Sequence, residues 1–218
     1  MLHLPEIAKQ HLIIFTRYPE PGKTKTRLIP ALGNEGAAHL HRQMTEYTLL
    51  QVKELQKVIP MSLEVRFAGG NSELMQDWLG SGLVYQSQGE GDLGKRMERS
   101  LVNAFQTGAE SVVIIGTDCP SANTNILAQA FAELQQHNLV LGPAIDGGYY
   151  LIGLQYPIPE LFTDTDWGTD RVFQQTVDIA HQLNLSVFYL PTLADVDRPE
   201  DISIWENILQ TSKDKKIK

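Results

Sequence analysis

Sulfur chemistry is nearly absent from this chain: it holds a single cysteine, Cys119. One thiol excludes an intramolecular disulfide framework, cannot by itself make a thiolate zinc site, and suits a reducing cytoplasm. Positive charge is also scarce, with 18 Lys and Arg against 26 Asp and Glu for a net charge of −8. Four of the lysines and one aspartate fall between Ser212 and Lys218, so the rest of the chain is more acidic still. Such a surface repels a phosphate backbone, which excludes nucleic acid as a partner. Long apolar runs are missing too. The run from Leu12 to Phe15 is far short of the roughly 20 residues of a membrane span or of the core of a signal peptide. There is no internal repeat and no linker of domain-boundary composition. With 42% hydrophobic and 20% charged residues, the chain is not disordered, collagen-like or a coiled coil. These exclusions leave a globular protein of 218 residues, expected as one domain over 1–211 followed by a solvated basic tail, 212–218.

Short β-rich runs, Gly/Pro/Asp-rich turns and stretches of helical period alternate along the sequence, the order of βαβ units. Strands are expected over 11–16, 63–68, 83–87, 111–116, 139–142, 149–154 and 186–190. Helices are expected over about 34–57, 71–79, 92–107, 122–137, 169–183 and 199–210. The run at 111–116 is continuously apolar and β-branched, as a central strand covered on both faces requires. Ser121 is placed to cap the helix that follows it, and Thr169 or Asp170 to cap the next but one. Pro199 occupies a first-turn position, with Glu200 and Asp201 at the positive end of the helix dipole.

The loop after the first strand concentrates the scarce positive charge, with Arg17, Lys23, Lys25 and Arg27 inside eleven residues. In an open α/β sheet this loop lies at the carboxyl edge, where ligands bind, so the cations mark an anion site or else a solvated loop balancing nearby acids. Gly22-Lys23-Thr24 lacks the first glycine of a phosphate-binding P-loop, because Arg17 stands five residues before Gly22. Gly89 to Gly94 spells the dinucleotide fingerprint. Two βα units precede it, however, and Glu90 and Asp92 would set carboxylates against a pyrophosphate. It reads instead as a glycine-rich turn with Asp92 as helix cap, or as a nucleoside or sugar contact through Gly91, Asp92 and Arg96, with Lys95 and Arg99 beside them.

Gly116-Thr117-Asp118-Cys119-Pro120 carries Asp118 to the carboxyl edge on the most apolar strand, where a hard divalent cation would find an oxygen ligand. Asp195 and Asp197 alternate as strand neighbours do, so they share a face and can complete such a site, or simply sit at the start of a helix. Asp146-Gly147-Gly148-Tyr149 joins two strands and presents Asp146 either into a cleft or merely at a hairpin turn. Trp167 precedes a flexible Gly168, suited to stacking on a base or sugar and equally to core packing. Cys119 reads as a small buried hydrophobe. His39 and His41, two apart on a helix, lack metal-ligand spacing.

In this order, Pro-Glu-Pro-Gly-Lys-Thr-Lys-Thr-Arg-Leu, Gly-Asp-Leu-Gly-Lys-Arg-Met, Gly-Thr-Asp-Cys-Pro, Asp-Gly-Gly-Tyr-Tyr-Leu-Ile-Gly-Leu and Asp-Val-Asp-Arg-Pro-Glu-Asp-Ile span Ile14 to Ile202. The sequence thereby resembles a bacterial family of glycosyltransferase A (GT-A) type, long filed as a domain of unknown function, some of whose members are named arsenosugar biosynthesis glycosyltransferases. The resemblance implies a nucleotide-diphospho-sugar transferase fold, Rossmann-like, with a mostly parallel mixed sheet between helices. It also implies a divalent cation, Mg²⁺ or Mn²⁺, with Asp118 at the metal-binding position and Asp197 at that of a late Asp or Asn.

The expected activity is glycosyl transfer from a nucleotide sugar to a small-molecule acceptor. Lys23 and Arg27 would offset charge on the departing diphosphate, and Asp146 would act as general base. Gly-Thr-Asp keeps one carboxylate of the Asp-X-Asp signature, which leaves nucleotidyl transfer from a nucleoside triphosphate as the second reading. A non-catalytic nucleotide-binding protein is a third.

Overall fold

A computed structural model describes residues 9–216. Residues 1–8, where no leader is expected, and the last two residues of the tail lie outside the described residues. Among the described residues seven strands form one sheet: β1 Gln10–Arg17, β2 Met61–Ala68, β3 Val84–Ser87, β4 Ser111–Gly116, β5 Leu139–Pro143, β6 Tyr149–Leu154 and β7 Val187–Tyr189. The helices are α1 Ile29–Gln56, α2 Ser72–Leu79, α3 Leu93–Gln106, α4 Thr124–Glu133, α5 Val172–Gln182 and α6 Ile202–Lys216. The expected strands are all present. Gly33, at φ 71° and ψ 173°, interrupts α1, so its regular turns begin at Asn34 as the sequence pattern indicates.

The strand order is β3-β2-β1-β4-β6-β5-β7. Every neighbouring pair is parallel except those made by β6, which runs against both β4 and β5. This is the mixed, mostly parallel sheet expected. The chain winds outward from β1 through β2 to β3, then returns through α3 and lays β4 on the other side of β1. Loops leaving the carboxyl ends of β1 and β4 therefore diverge, which opens a crevice at the point of reversal.

Both faces of the sheet are covered. On one, Leu12, Ile14, Val113 and Ile115 pack with Leu49 and Val52 of α1 and Phe131 of α4. On the other, Ile13, Val112 and Ile114 meet Met97 and Leu101 of α3 and Val177 of α5. Val112 to Ile115 are all buried, which explains why β4 has no polar alternation. A third cluster joins Leu28 and Met44 to Val196 and Trp205, fixing the last helix against the start of α1. No helix among the described residues is long and apolar enough to cross a membrane.

Several expected ends differ, including the far end of α4, which stops at Glu133 and not at 137. Residues 119–122 close a turn, with the Ala122 N–H donating to the Cys119 carbonyl, so α4 starts later. Asn123, rather than Ser121, caps it by accepting from the Asn125 and Ile126 N–H groups at 3.0 and 3.2 Å. Neither Thr169 nor Asp170 caps α5. Its N-cap is Arg171 without a side-chain cap bond, and the Phe173 N–H instead donates to the Gly147 carbonyl at 2.9 Å. Helix α6 continues beyond Gln210 to Lys216, because nothing in 211–216 breaks a helix. Asp92 does cap α3, accepting from the Lys95 N–H at 2.8 Å.

The reassigned cap of α4 makes a stability prediction. Asn123→Ala should cost about 1 kcal/mol, whereas Ser121→Ala should stay within about 0.5 kcal/mol of the parent. Urea unfolding followed by circular dichroism distinguishes the two, and a larger loss at Ser121 would contradict the assignment.

Candidate active site

The crevice is a cleft of about 790 Å³. Its floor is the ends of β1 and β4 with Thr16, Thr117 and Asp118, and its walls come from the loops after β5, after β6 and before α6. Beneath it lies a layer of buried polar side chains. Thr16 Oγ1 sits 3.1 Å from Thr45 Oγ1, 3.4 Å from Thr117 Oγ1 and 3.3 Å from His41 Nε2. His41 Nε2 also donates to the Arg17 carbonyl at 2.9 Å, so its Nδ1 is the free acceptor, buried and unpartnered among the described residues. Burial lowers the pKa of His41 and keeps the ring neutral, although Asp118 pulls the other way. No spacing rule identifies this histidine. It enters the site because the second turn of regular helix in α1 passes under the cleft.

The cations divide into two groups. Arg17, Arg27, Arg96 and Arg198 line the cleft. The Arg17 guanidinium makes no side-chain hydrogen bond or ion pair among the described residues, and Arg96 Nε donates to the Gly91 carbonyl at 2.8 Å. Lys23, expected at the centre of the chemistry, is outside the lining and pairs with Glu20 at 2.7 Å in an exposed i,i+3 contact. Lys25, expected to hold a ligand, has a side chain only 5% exposed. Its Nζ lies 2.9 Å from Asp118 Oδ1 and 3.5 Å from Asp197 Oδ1, and it donates to the Val196 carbonyl at 2.7 Å. Arg27 Nη1 takes the other oxygen of Asp197 at 2.5 Å.

The carboxylates divide likewise. Burial opposes ionisation of Asp118, but Lys25, helped by His41, outweighs it and holds the carboxyl below its ordinary pKa. Asp195 does not share a strand face with Asp197, because residues 195–198 form no strand. Burial raises its pKa, and the charge of Asp146 raises it further. Asp146 closes its turn by accepting from the Gly148 N–H at 2.9 Å through Oδ1, and it lines the cleft. It therefore serves both the hairpin and the cleft.

The expected three-aspartate metal set is not assembled. No group of three or more His, Cys, Asp or Glu among the described residues is arranged to hold a metal ion. A cation between Asp118 and Asp197 would meet the Lys25 ammonium, so this donor set does not fit the divalent ion that the family resemblance implies.

One wall is aromatic. Trp167 stacks on Phe162 at 6.3 Å and meets Tyr149 edge-on at 6.4 Å. Burial pushes the Tyr149 hydroxyl far above its ordinary pKa, so it stays protonated. Glycines permit this packing. A Cβ on Gly94 would lie 2.3 Å from Trp167 Nε1, and one on Gly147 (φ +87°) 2.2 Å from the Asp170 carbonyl oxygen. Gly91, Asp92 and Gly147 shape the walls without lining the cleft, while Gly148, Tyr149 and Trp167 line it. Arg99 is structural, donating to the Gln88 and Glu90 carbonyls. Cys119 is buried, and burial pushes its thiol far up, so it is no nucleophile.

This architecture is the nucleotide-diphospho-sugar transferase fold. A protein from Desulfovibrio desulfuricans G20, provisionally described as a nucleotide-diphospho-sugar transferase, is 34% identical over 88% of this chain and 84% of its own, with a TM-score of 0.82. Residues 51–169 match the family described as "Uncharacterized protein conserved in bacteria (DUF2064)", and the chain belongs to that family. More distant structures share the fold. 4-Diphosphocytidyl-2C-methyl-D-erythritol synthase from Anaerococcus prevotii is 12% identical over 93% of this chain and 99% of its own, at TM-score 0.61. Glucosyl-3-phosphoglycerate synthase from Mycobacterium tuberculosis, in complex with Mn²⁺, UDP and phosphoglyceric acid, is 14% identical over 92% of this chain and 79% of its own, at TM-score 0.52. No curated protein matches the sequence.

The Gly94 contact predicts a reversal of the usual helix preference. Alanine normally stabilises a helix by about 1 kcal/mol over glycine, but here Gly94→Ala should destabilise by about 1–3 kcal/mol by displacing the Trp167 indole. Unfolding midpoints and tryptophan fluorescence check this. The spectral change should vanish in a Trp167→Phe background.

Proposed function

We propose that the chain is one transferase domain, residues 1–211, acting on a nucleotide-activated substrate, with glycosyl transfer from a nucleotide sugar to a small-molecule acceptor as the first reading. The observation that carries it is the grouping of four arginines in one cleft at the switch point of an otherwise acidic protein. A planar guanidinium matches the paired oxygens of a diphosphate, and this cleft lies where such sheets bind nucleotides. The 34% identical relative, provisionally described as a nucleotide-diphospho-sugar transferase, supports the same substrate class.

In that reaction the acceptor hydroxyl attacks the anomeric carbon while the bond to the diphosphate oxygen breaks. Charge grows on the diphosphate, where Arg17, Arg96 and Arg198 are placed to stabilise it. The hydroxyl proton needs an acceptor in the cleft. Asp146 has one oxygen fixed by the Gly148 N–H, which orients the other, and Asp195 beside it has the raised pKa of a carboxylate suited to holding a proton. Trp167 and Tyr149 offer an apolar face for a sugar or base.

Nucleotidyl transfer is the second reading, favoured by the lone carboxylate of Gly116-Thr117-Asp118; there the same arginines would grip a triphosphate and the leaving group would be pyrophosphate. Incubation with panels of nucleotide sugars and nucleoside triphosphates separates the two by product. Nucleoside diphosphate release supports the first reading and pyrophosphate release the second. Neither product across both panels would favour a non-catalytic nucleotide-binding protein.

Two variants sharpen the assignment. Arg17→Ala should weaken a bound nucleoside diphosphate about tenfold or more while leaving the matching nucleoside unchanged, because a charge-assisted hydrogen bond is worth about 1.5–3 kcal/mol. Asp146→Asn keeps the turn and should lower kcat about 10²-fold or more with little change in KM. Equal losses of diphosphate and nucleoside, or a loss confined to KM, would contradict these roles.

A further inference from the structure

We infer that Lys25 is the built-in cation of this cleft: its ammonium stands between Asp118 and Asp197 where a divalent ion would bridge them, so the site takes its phosphorylated ligand without a divalent metal. The inference rests on the transferase reading for the nature of that ligand, a nucleotide diphosphate, and not for the position of the lysine.

Three oxygens surround the ammonium. It reaches Asp118 Oδ1 at 2.9 Å, the Val196 carbonyl at 2.7 Å and Asp197 Oδ1 at 3.5 Å. The lysine side chain is almost wholly buried, while its partner Asp118 stays about half exposed at the cleft. The backbone is committed to this arrangement as well. Lys25 adopts the left-handed conformation at φ 50° and ψ 46°, a region that a side chain rarely enters unless its surroundings impose it. Thr24 locks the turn before it, donating through Oγ1 to the Tyr18 carbonyl and accepting from the Glu20 N–H. On the far side the Val196 N–H donates to the Asp118 carbonyl at 2.8 Å, which holds both acceptors in register.

A divalent ion shared by the two aspartates would sit a few ångströms from this ammonium and be repelled by it. Arg27 neutralises the remaining oxygen of Asp197. The aspartates are thus already compensated. Lys25 is turned to these oxygens and is outside the lining of the cleft, so the diphosphate falls to Arg17, Arg96 and Arg198, which line it.

Titration of the full chain with Mn²⁺ alone, by calorimetry and by the Mn²⁺ paramagnetic resonance signal, tests this without nucleotide or turnover. The parent and Asp118→Asn should bind Mn²⁺ equally poorly. Lys25→Met, which keeps the aliphatic stem and removes the charge, should bind Mn²⁺ at least about tenfold more tightly than the parent. Adding Asp118→Asn to Lys25→Met should abolish that gain. A parent site for Mn²⁺ that is lost in Asp118→Asn would overturn the inference, as would a folded Lys25→Met no better than the parent. Should Lys25→Met fail to fold, the comparison of parent with Asp118→Asn decides alone. Failure of the transferase reading would show in the nucleotide panels and leave the Mn²⁺ result unchanged.

Discussion

One ammonium group ties together three of the segments from which the cleft is built. Lys25 comes from the loop after β1, Asp118 from the loop after β4, and Val196 and Asp197 from the stretch before α6. These segments are far apart in sequence, and the sheet alone brings only the first two near each other. The third arrives because Leu28, three residues after Lys25, shares a buried cluster with Val196 and Trp205. Breaking a fully buried ion pair costs about 3–5 kcal/mol, chiefly for the charge left behind. Here Asp118 is 55% exposed and would stay hydrated, so loss of Lys25 costs the local arrangement of the cleft more than the stability of the fold.

The opposite wall depends on close approach rather than charge. Gly94 lets the Trp167 indole rest against the first turn of α3, and Gly147 lets the Asp-Gly-Gly hairpin touch the backbone at Asp170. The Phe173 N–H then donates to the Gly147 carbonyl, so the start of α5 is pinned by the hairpin instead of by a cap of its own. Two sequence motifs that look like ligand-binding glycine loops thus act first as packing devices. Their side-chain neighbours, Arg96 and Asp146, are the groups delivered to the cleft.

That difference explains what the sequence discloses and what it hides. The strands were readable because β-branched, apolar runs have few alternative conformations, and β4 in particular could only be central. The cleft's location followed from the order of elements, and most of the residues proposed from motifs do line it. Side-chain direction was not readable. Lys23, Lys25 and Arg27 alternate along a loop that is not a strand, so their spacing does not tell which faces Glu20, which enters the protein and which reaches the cleft. The same limit applies to Asp195 and Asp197, whose alternation suggests a shared face that irregular backbone does not provide. His41 was passed over because its significance comes from Thr16 and Arg17, contacts across 25 and 24 residues that no local pattern contains.

The carboxylates of the cleft end up in opposite electrostatic states. Asp118 and Asp197 are each paired with a cation, and Lys25 holds the Asp118 carboxyl below its ordinary pKa against the partial desolvation of the cleft. Burial, then the charges of Asp146 and Asp201, raise the pKa of Asp195 against the smaller opposing pull of Lys25. Environments of this kind set a charge-compensated pair apart from Asp195, whose pKa is raised. Under the proposed reaction, the compensated pair would maintain the geometry beside the diphosphate. Asp146 and Asp195, which line the same cleft, are the carboxylates proposed to take the proton of an acceptor hydroxyl.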